Sequence, residues 1–229
     1  MGYTRNDILL KCKEALNKIE TFYKQDFINY KGKTSDTNEF YSEVVAQFVC
    51  EHITEFNDTI PKITRITSYK TEGHDGEHYG NSNREEEIIA MDMFKQSKNG
   101  QNYDYIGEII DYQTPLKNKR DDIAGKIDLL SYDGEILRIL ELKKPDSDET
   151  MLRCVLEGFT YLKTLDEKKI LNDFGLSENV EIQACPFVFK DREQHNEMKE
   201  ERIWLKKLMD LIGSKPYYIT KEKIYKVEE

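Results

Sequence analysis

Two apolar runs near the centre of the chain, IAGKIDLLSY (residues 123–132) and EILRILELK (135–143), are separated only by Asp133-Gly134. Both positions of that dipeptide accept positive φ, which the tight turns that follow strand twist require, so the arrangement predicts a β-hairpin. Along the second strand side chains alternate. Leu137, Ile139, Glu141 and Lys143 take one face, and Ile136, Leu140 and Leu142 the other. An acid and a base closing an otherwise apolar face are unexpected, because ionised groups are costly to bury unless paired or metal-bound. Asp128 lies on the preceding strand, and the hairpin draws it towards Glu141. Two carboxylates so placed repel unless a cation sits between them.

The flanking pattern predicts an α/β protein. Ile8, Leu9, Cys12, Leu16, Ile19 and Phe22 form one helical face, and Val44, Val45, Phe48, Val49 and Ile53 a second, in a helix expected from about Thr37 to just before Pro61. These first 70 residues read as a helical N-terminal extension, with 71–229 as the core. TEGHDGEHYGNSN (71–83) reads as a polar surface loop. His74 and His78 within it lack a third spaced ligand, which favours the loop over a metal site. NREEEIIAMDMFKQ reads as a helix capped by Asn83, with three glutamates in the first turn where the helix dipole favours negative charge. Tyr105–Thr114 is an expected strand. Asp146 and Glu149 have the spacing of a capping box for a helix running to about Leu165. A short linker, a strand over Val180–Phe189 and one helix over Glu193–Ile212 follow, and YYITKEKIYKVE reads as an extra strand or a loose end. A hairpin leading into a helical crossover implies a mixed sheet flanked by helices.

A hard divalent ion such as Mg²⁺ takes oxygen ligands, and two carboxylates with a backbone carbonyl are a usual protein share. Such an ion can polarise a phosphoryl oxygen and lower the pKa of an attacking water, while a lysine beside it orients the water or offsets developing charge. Asp128, Glu141 and Lys143 suit phosphodiester hydrolysis on these grounds.

In this order, Ile127-Asp128, the turn, then Glu141-Leu142-Lys143 resemble the signature of the PD-(D/E)XK nuclease superfamily. The resemblance spans residues 80–190 and implies a restriction-endonuclease-like core. It implies metal ligation by Asp128, Glu141 and the Leu142 carbonyl, with Lys143 serving the water and Mg²⁺, or Mn²⁺ in its place, as cofactor. A glutamate on the upstream helix is a further ligand in many members. Glu86 fits best, because Ile89, Ala90 and Met93 follow it on the buried face, with Glu87 next and Glu85 third. On the downstream helix, Glu157-Gly158-Phe159-Thr160-Tyr161 stands where RecB-type members carry Gln, an apolar residue, two others and Tyr. Glu157 and Tyr161 fall on one helix face, and Arg153 extends that stripe. Ile127 replaces the proline of the family name. The implied activity is a metal-dependent nuclease acting on DNA, in restriction, phage defence, repair or a mobile element, with a homodimer or a partner protein compatible with it.

Other features bound this reading. The net charge of −10 argues against non-specific coating of nucleic acid, which is driven by lysine and arginine displacing counterions, although a metal site contributes carboxylates of its own and bound divalent ions invert the local charge. Lys117, Asn118, Lys119 and Arg120 offer a local basic stripe, or simply a solvated loop, and Gln113, Lys117, Lys119 and Arg153 are the expected substrate contacts. No run of about 18 apolar residues is present to span a bilayer, and residues 1–10 lack an apolar signal core, so no membrane is expected and a cytoplasmic location is. Cys12, Cys50, Cys154 and Cys185 form no CxxC pair and read as reduced, mostly buried thiols. Two alternatives stay open: a catalytically silent module of the same fold that binds nucleic acid or a partner protein, and a chance resemblance in which Glu141 and Lys143 are a surface pair.

Overall fold

A computed structural model describes residues 2–76, 84–118 and 125–220, and the backbone of 224–226. Asn83, His78, Lys119 and Arg120, each singled out above, lie outside the described residues.

The chain opens with α1 (Arg5–Ala15), started by a capping box in which Thr4 and Asp7 exchange hydrogen bonds. Two 3-10 segments follow, Leu16–Lys24 and Asp26–Asn29. The single helix expected next is two, α2 (Tyr41–Glu51) and α3 (Ile53–Thr59). They part at His52, whose ring folds back to stack on Phe48 at 4.0 Å and whose Nδ1 lies 2.8 Å from the Phe48 carbonyl oxygen. Then come α4 (Glu85–Lys98) and the strands β1 (Glu108–Pro115), β2 (Lys126–Tyr132) and β3 (Ile136–Leu142). β1 starts later than expected because Tyr105, at φ +69°, sits in a turn closed by reciprocal Tyr103 and Gly107 backbone bonds of 2.9 and 3.0 Å.

Helix α5 (Met151–Thr164) begins five residues after Asp146. Its cap is Thr150, which accepts from the Arg153 N–H, while Asp146 pairs with Lys144 at 3.1 Å. The expected linker contains α6 (Glu167–Asp173), capped by Asp166. β4 (Glu181–Phe189) is followed by α7 (Glu193–Lys199) and α8 (Ile203–Leu211), where one helix was expected. The break has a tertiary cause. Arg202 is drawn to Ser42 and Glu200, both at 2.6 Å, and Glu43 of α2 accepts the Trp204 and Leu205 N–H groups at 2.8 and 2.9 Å, capping α8 from a distant element. The tail forms β5 (Tyr217–Ile219) and β6 (Ile224–Lys226).

The six strands lie in the order β1-β2-β3-β4-β5-β6. β1, β2 and β3 are antiparallel neighbours, β4 and β5 join in parallel, and β6 returns antiparallel. The sheet is therefore mixed and flanked by helices. One face buries Leu129, Leu140, Leu142 and Phe187 against Ala90, Met93 and Phe94 of α4. The other buries Leu130, Leu137 and Ile139 against Leu152, Val155 and Phe159 of α5, in one core with Ile8, Cys12, Phe22, Val44 and Phe48. The N-terminal helices thus supply part of the main core instead of sitting on it as an appendage. No described helix is long and apolar enough to cross a membrane. All four cysteines are free, with Cys50 half-buried and the others buried.

Candidate functional site

Gly134 takes φ +101° in the β2–β3 turn, and Asp133 Oδ1 accepts the Glu135 and Ile136 N–H groups at 2.9 and 2.8 Å. The turn fixes a register of Leu129 opposite Leu140 and Leu130 opposite Ile139. One step further along the ladder, Asp128 faces Glu141 on the side packed by α5. There the Asp128 carboxylate takes over from a strand carbonyl, and its Oδ2 accepts the Leu142 N–H at 3.0 Å. The two strands separate at that point.

The separated ends open into a cleft of about 370 Å³, lined in part by Asp128, Glu141, Lys143, Glu86, Glu149 and Glu157. Lys143 is its centre. Its backbone N–H continues the ladder to the Phe187 carbonyl, and its side chain turns back into the protein at 5% exposure. Nζ lies 2.8 Å from Glu141, 2.7 Å from Glu149 and 3.2 Å from Glu157. Glu157 also accepts the Tyr161 hydroxyl at 2.8 Å and sits 3.4 Å from Arg153. From the opposite face of the sheet, Glu86 accepts the Lys144 N–H at 3.0 Å. Of the three glutamates opening α4, only Glu86 lines the cleft.

The expected substrate contacts divide. Gln113 reaches the site, its Nε2 donating to Asp128 Oδ1 at 2.9 Å. Arg153 lines the cleft but is turned inward, bonded to the Tyr23 carbonyl and lying over the Tyr23 ring. Lys117 is not part of the cleft lining, and its carbonyl accepts from Arg65 at 2.5 Å. His74, expected on a polar surface loop, is folded against the sheet, with Nδ1 2.6 Å from Asp111 and its ring stacked on Tyr112.

Three contributors escape sequence reasoning. Glu149, expected as the capping-box partner of Asp146, sits two residues before α5 with its carboxylate on Lys143, and the local signal for that place is its four-residue spacing to Arg153. Tyr23, from the N-terminal segment, backs two residues that line the cleft, its ring meeting Tyr161 edge-on at 5.9 Å and its carbonyl accepting from Arg153. Nothing local announces a contact between residues so far apart in the chain. Gly125 lies where a Cβ would collide with the Tyr161 hydroxyl. A glycine just before a strand is the signal for such close approach.

The electrostatics follow from crowding. Burial pushes the Asp128 carboxyl up to about 7, with Lys143 opposing and Glu86 and Glu157 reinforcing the rise. Burial, then Glu157, raises Glu141 well above the carboxylate range. Burial alone would lower Lys143, but Glu141 and Glu157 hold it well above its ordinary value. Burial also opposes ionisation of Glu157, yet Lys143 and Arg153 keep it low. Burial raises the Tyr161 hydroxyl, with Glu141 and Glu157 adding to the effect, so it is a neutral donor.

No family model, curated protein or solved structure matches the chain.

Among the described residues no three acidic, histidine or cysteine side chains stand arranged as a ready ligand set. The reason is local, since Asp128 is engaged by Gln113 and Leu142, and one Glu141 oxygen by Lys143. Two observations nevertheless fit a hard divalent cation. Glu141 Oε2 is buried with no N–H or hydroxyl donor aimed at it, a state that costs about 1–3 kcal/mol. The cleft also gathers six acidic side chains against four basic ones, and this crowding adds to burial in lifting Asp128 and Glu141 above the ordinary carboxylate range. A divalent ion answers both.

Proposed function

We propose that the chain is a metal-dependent nuclease with a restriction-endonuclease-like core, hydrolysing phosphodiester bonds of DNA. The observation that carries this reading is the meeting of Asp128 and Glu141 on the same face of adjacent antiparallel strands, with the buried Lys143 ammonium 2.8 Å from Glu141 in the same cleft. Asp128 and Glu141, with the Leu142 carbonyl and Glu86, would hold the ion, Mg²⁺ or Mn²⁺. When bound, such an ion supplies Lewis acidity towards a phosphoryl oxygen and a water of lowered pKa.

The chain's own residues supply the rest. Lys143 is held as a cation, and its three carboxylate contacts, which occupy its three N–H donors, fix the ammonium beside Glu141, where its charge can offset charge developing on a phosphoryl oxygen. Glu157 holds Lys143 from α5, and Tyr161 and Arg153 hold Glu157 in turn. Lys126 and Lys144, also at the cleft, provide positive charge for a phosphate backbone despite the overall charge of −10.

The test is cleavage of supercoiled plasmid and of single-stranded DNA by wild type, Lys143→Ala and Asp128→Asn, with Mg²⁺, Mn²⁺ or chelator. Metal-dependent cutting that disappears in both variants is the expected result. No cutting of either DNA, with no heat on titrating either ion, would replace the proposal with a silent module that binds nucleic acid or a partner protein.

A further inference from the structure

Strand β1 carries an irregularity next to the cleft. Its register against β2 shifts between Ile109 and Asp111, and Gln113, in mid-strand, has φ +48°. That left-handed conformation is disfavoured for a side chain with a Cβ and easy for glycine. Glutamine at this position is strained in the backbone, and its side chain reaches Asp128 Oδ1 at 2.9 Å. Strain retained beside a site points to a use for the group it positions.

The kink is clamped from both sides. Asp111 is 2% exposed, and its Oδ2 accepts the Thr114 hydroxyl at 2.9 Å, bridging over Gln113. Its Oδ1 lies 2.6 Å from His74 Nδ1, and the His74 ring stacks on Tyr112 at 4.3 Å. Three side chains, from the loop before α4 and from β1 itself, therefore hold the backbone around Gln113.

We propose that Gln113 is a positioning residue for divalent-ion binding at Asp128, and that His74, Asp111 and Thr114 form the clamp that keeps its amide there. The inference rests on the nuclease reading above and adds residues outside the Asp128, Glu141 and Lys143 set. A carboxylate is planar, and each oxygen has two lone-pair directions. The Gln113 amide on Oδ1 and the Leu142 N–H on Oδ2 fix that plane from two sides. Each oxygen keeps a second lone pair for a cation. Without the amide the carboxylate turns more freely, and ordering it is charged to ion binding.

The experiment measures Mn²⁺ affinity by calorimetry without DNA, beside thermal unfolding, for wild type, Gln113→Gly, Gln113→Asn and His74→Ala. Gln113→Gly relieves the backbone, so its melting temperature is unchanged or higher, while Mn²⁺ affinity falls about tenfold or more. Gln113→Asn, one methylene short of Asp128, loses affinity likewise. His74→Ala loses less, and the double variant His74→Ala/Gln113→Gly binds no more weakly than Gln113→Gly alone, because the clamp acts through the amide. A folded Gln113→Gly that binds Mn²⁺ as wild type does overturns this inference and leaves the nuclease reading standing. Wild type that neither binds Mn²⁺ nor cuts DNA overturns both.

Discussion

Replacing Asp128 by asparagine should stabilise the metal-free protein at neutral and alkaline pH. The carboxyl is lifted from its ordinary 3.8 to about 7, first by burial. At about 1.4 kcal/mol per pH unit, its ionisation opposes folding by about 4 kcal/mol once complete. Asparagine keeps one acceptor for two donors, the Gln113 amide and the Leu142 N–H, and the donor left over costs about 1–3 kcal/mol. The net gain is about 1–3 kcal/mol at about pH 8. Its sign follows from a folded pKa above the unfolded one. Below about pH 4 the group is protonated in both states and no penalty exists, the penalty grows as pH rises, and it levels off above about 7. About 3 kcal/mol of the difference between variant and wild type should therefore vanish between pH 8 and pH 5. Urea unfolding of both proteins with chelator across that range measures it. Mn²⁺ at about a hundred times its Kd should then stabilise wild type by about 2.7 kcal/mol and leave the variant unmoved. A stability difference that stays flat between pH 5 and pH 8 would refute the reasoning, because it would mean that Asp128 is not held in a crowded, desolvated position.

Lys143→Met should destabilise the protein by about 3–5 kcal/mol, because it leaves buried Glu141 and Glu157, with half-buried Glu149 beside them, without their shared cation. Chemical denaturation at pH 8 is the check, and loss of DNA cleavage accompanies it. Gly125→Ala drives a methyl into the Tyr161 hydroxyl, costing about 1–3 kcal/mol through overpacking and loosening the Tyr161–Glu157 bond. A melting temperature equal to wild type would contradict the packing described. Asp133→Ala removes the acceptor of two turn N–H groups and the 2.7 Å partner of the buried Arg138, an expected loss of about 2–5 kcal/mol. Urea midpoints of the two proteins at pH 7 measure it.

How far the site was legible depended on whether a residue's partner lies nearby in the chain. Asp133-Gly134 and the alternation on either side of it set the hairpin register, and with it the meeting of Asp128 and Glu141. Glu157 and Tyr161, one helical turn apart, do share a hydrogen bond. Gln113 had the parity of Asp111, but which face was wet depended on a register shift and a left-handed residue that alternation does not encode. The split after Lys199 and the α8 cap were hidden for a related reason, since the groups responsible, Ser42 and Glu43, lie far away on α2.

By itself the sequence determined the α/β class, the central hairpin and the pairing of two acids with a lysine, because period-two alternation, turn chemistry and i,i+4 spacing act over a few residues. Only the tertiary structure decided that Glu86 is the glutamate of α4 at the cleft, that Glu149 grips Lys143, that Arg153 turns inward onto Tyr23, and that the N-terminal helices belong to the core. Those outcomes depend on how separate elements share buried volume and neutralise buried charge, and both are set by which surfaces meet after the chain has folded.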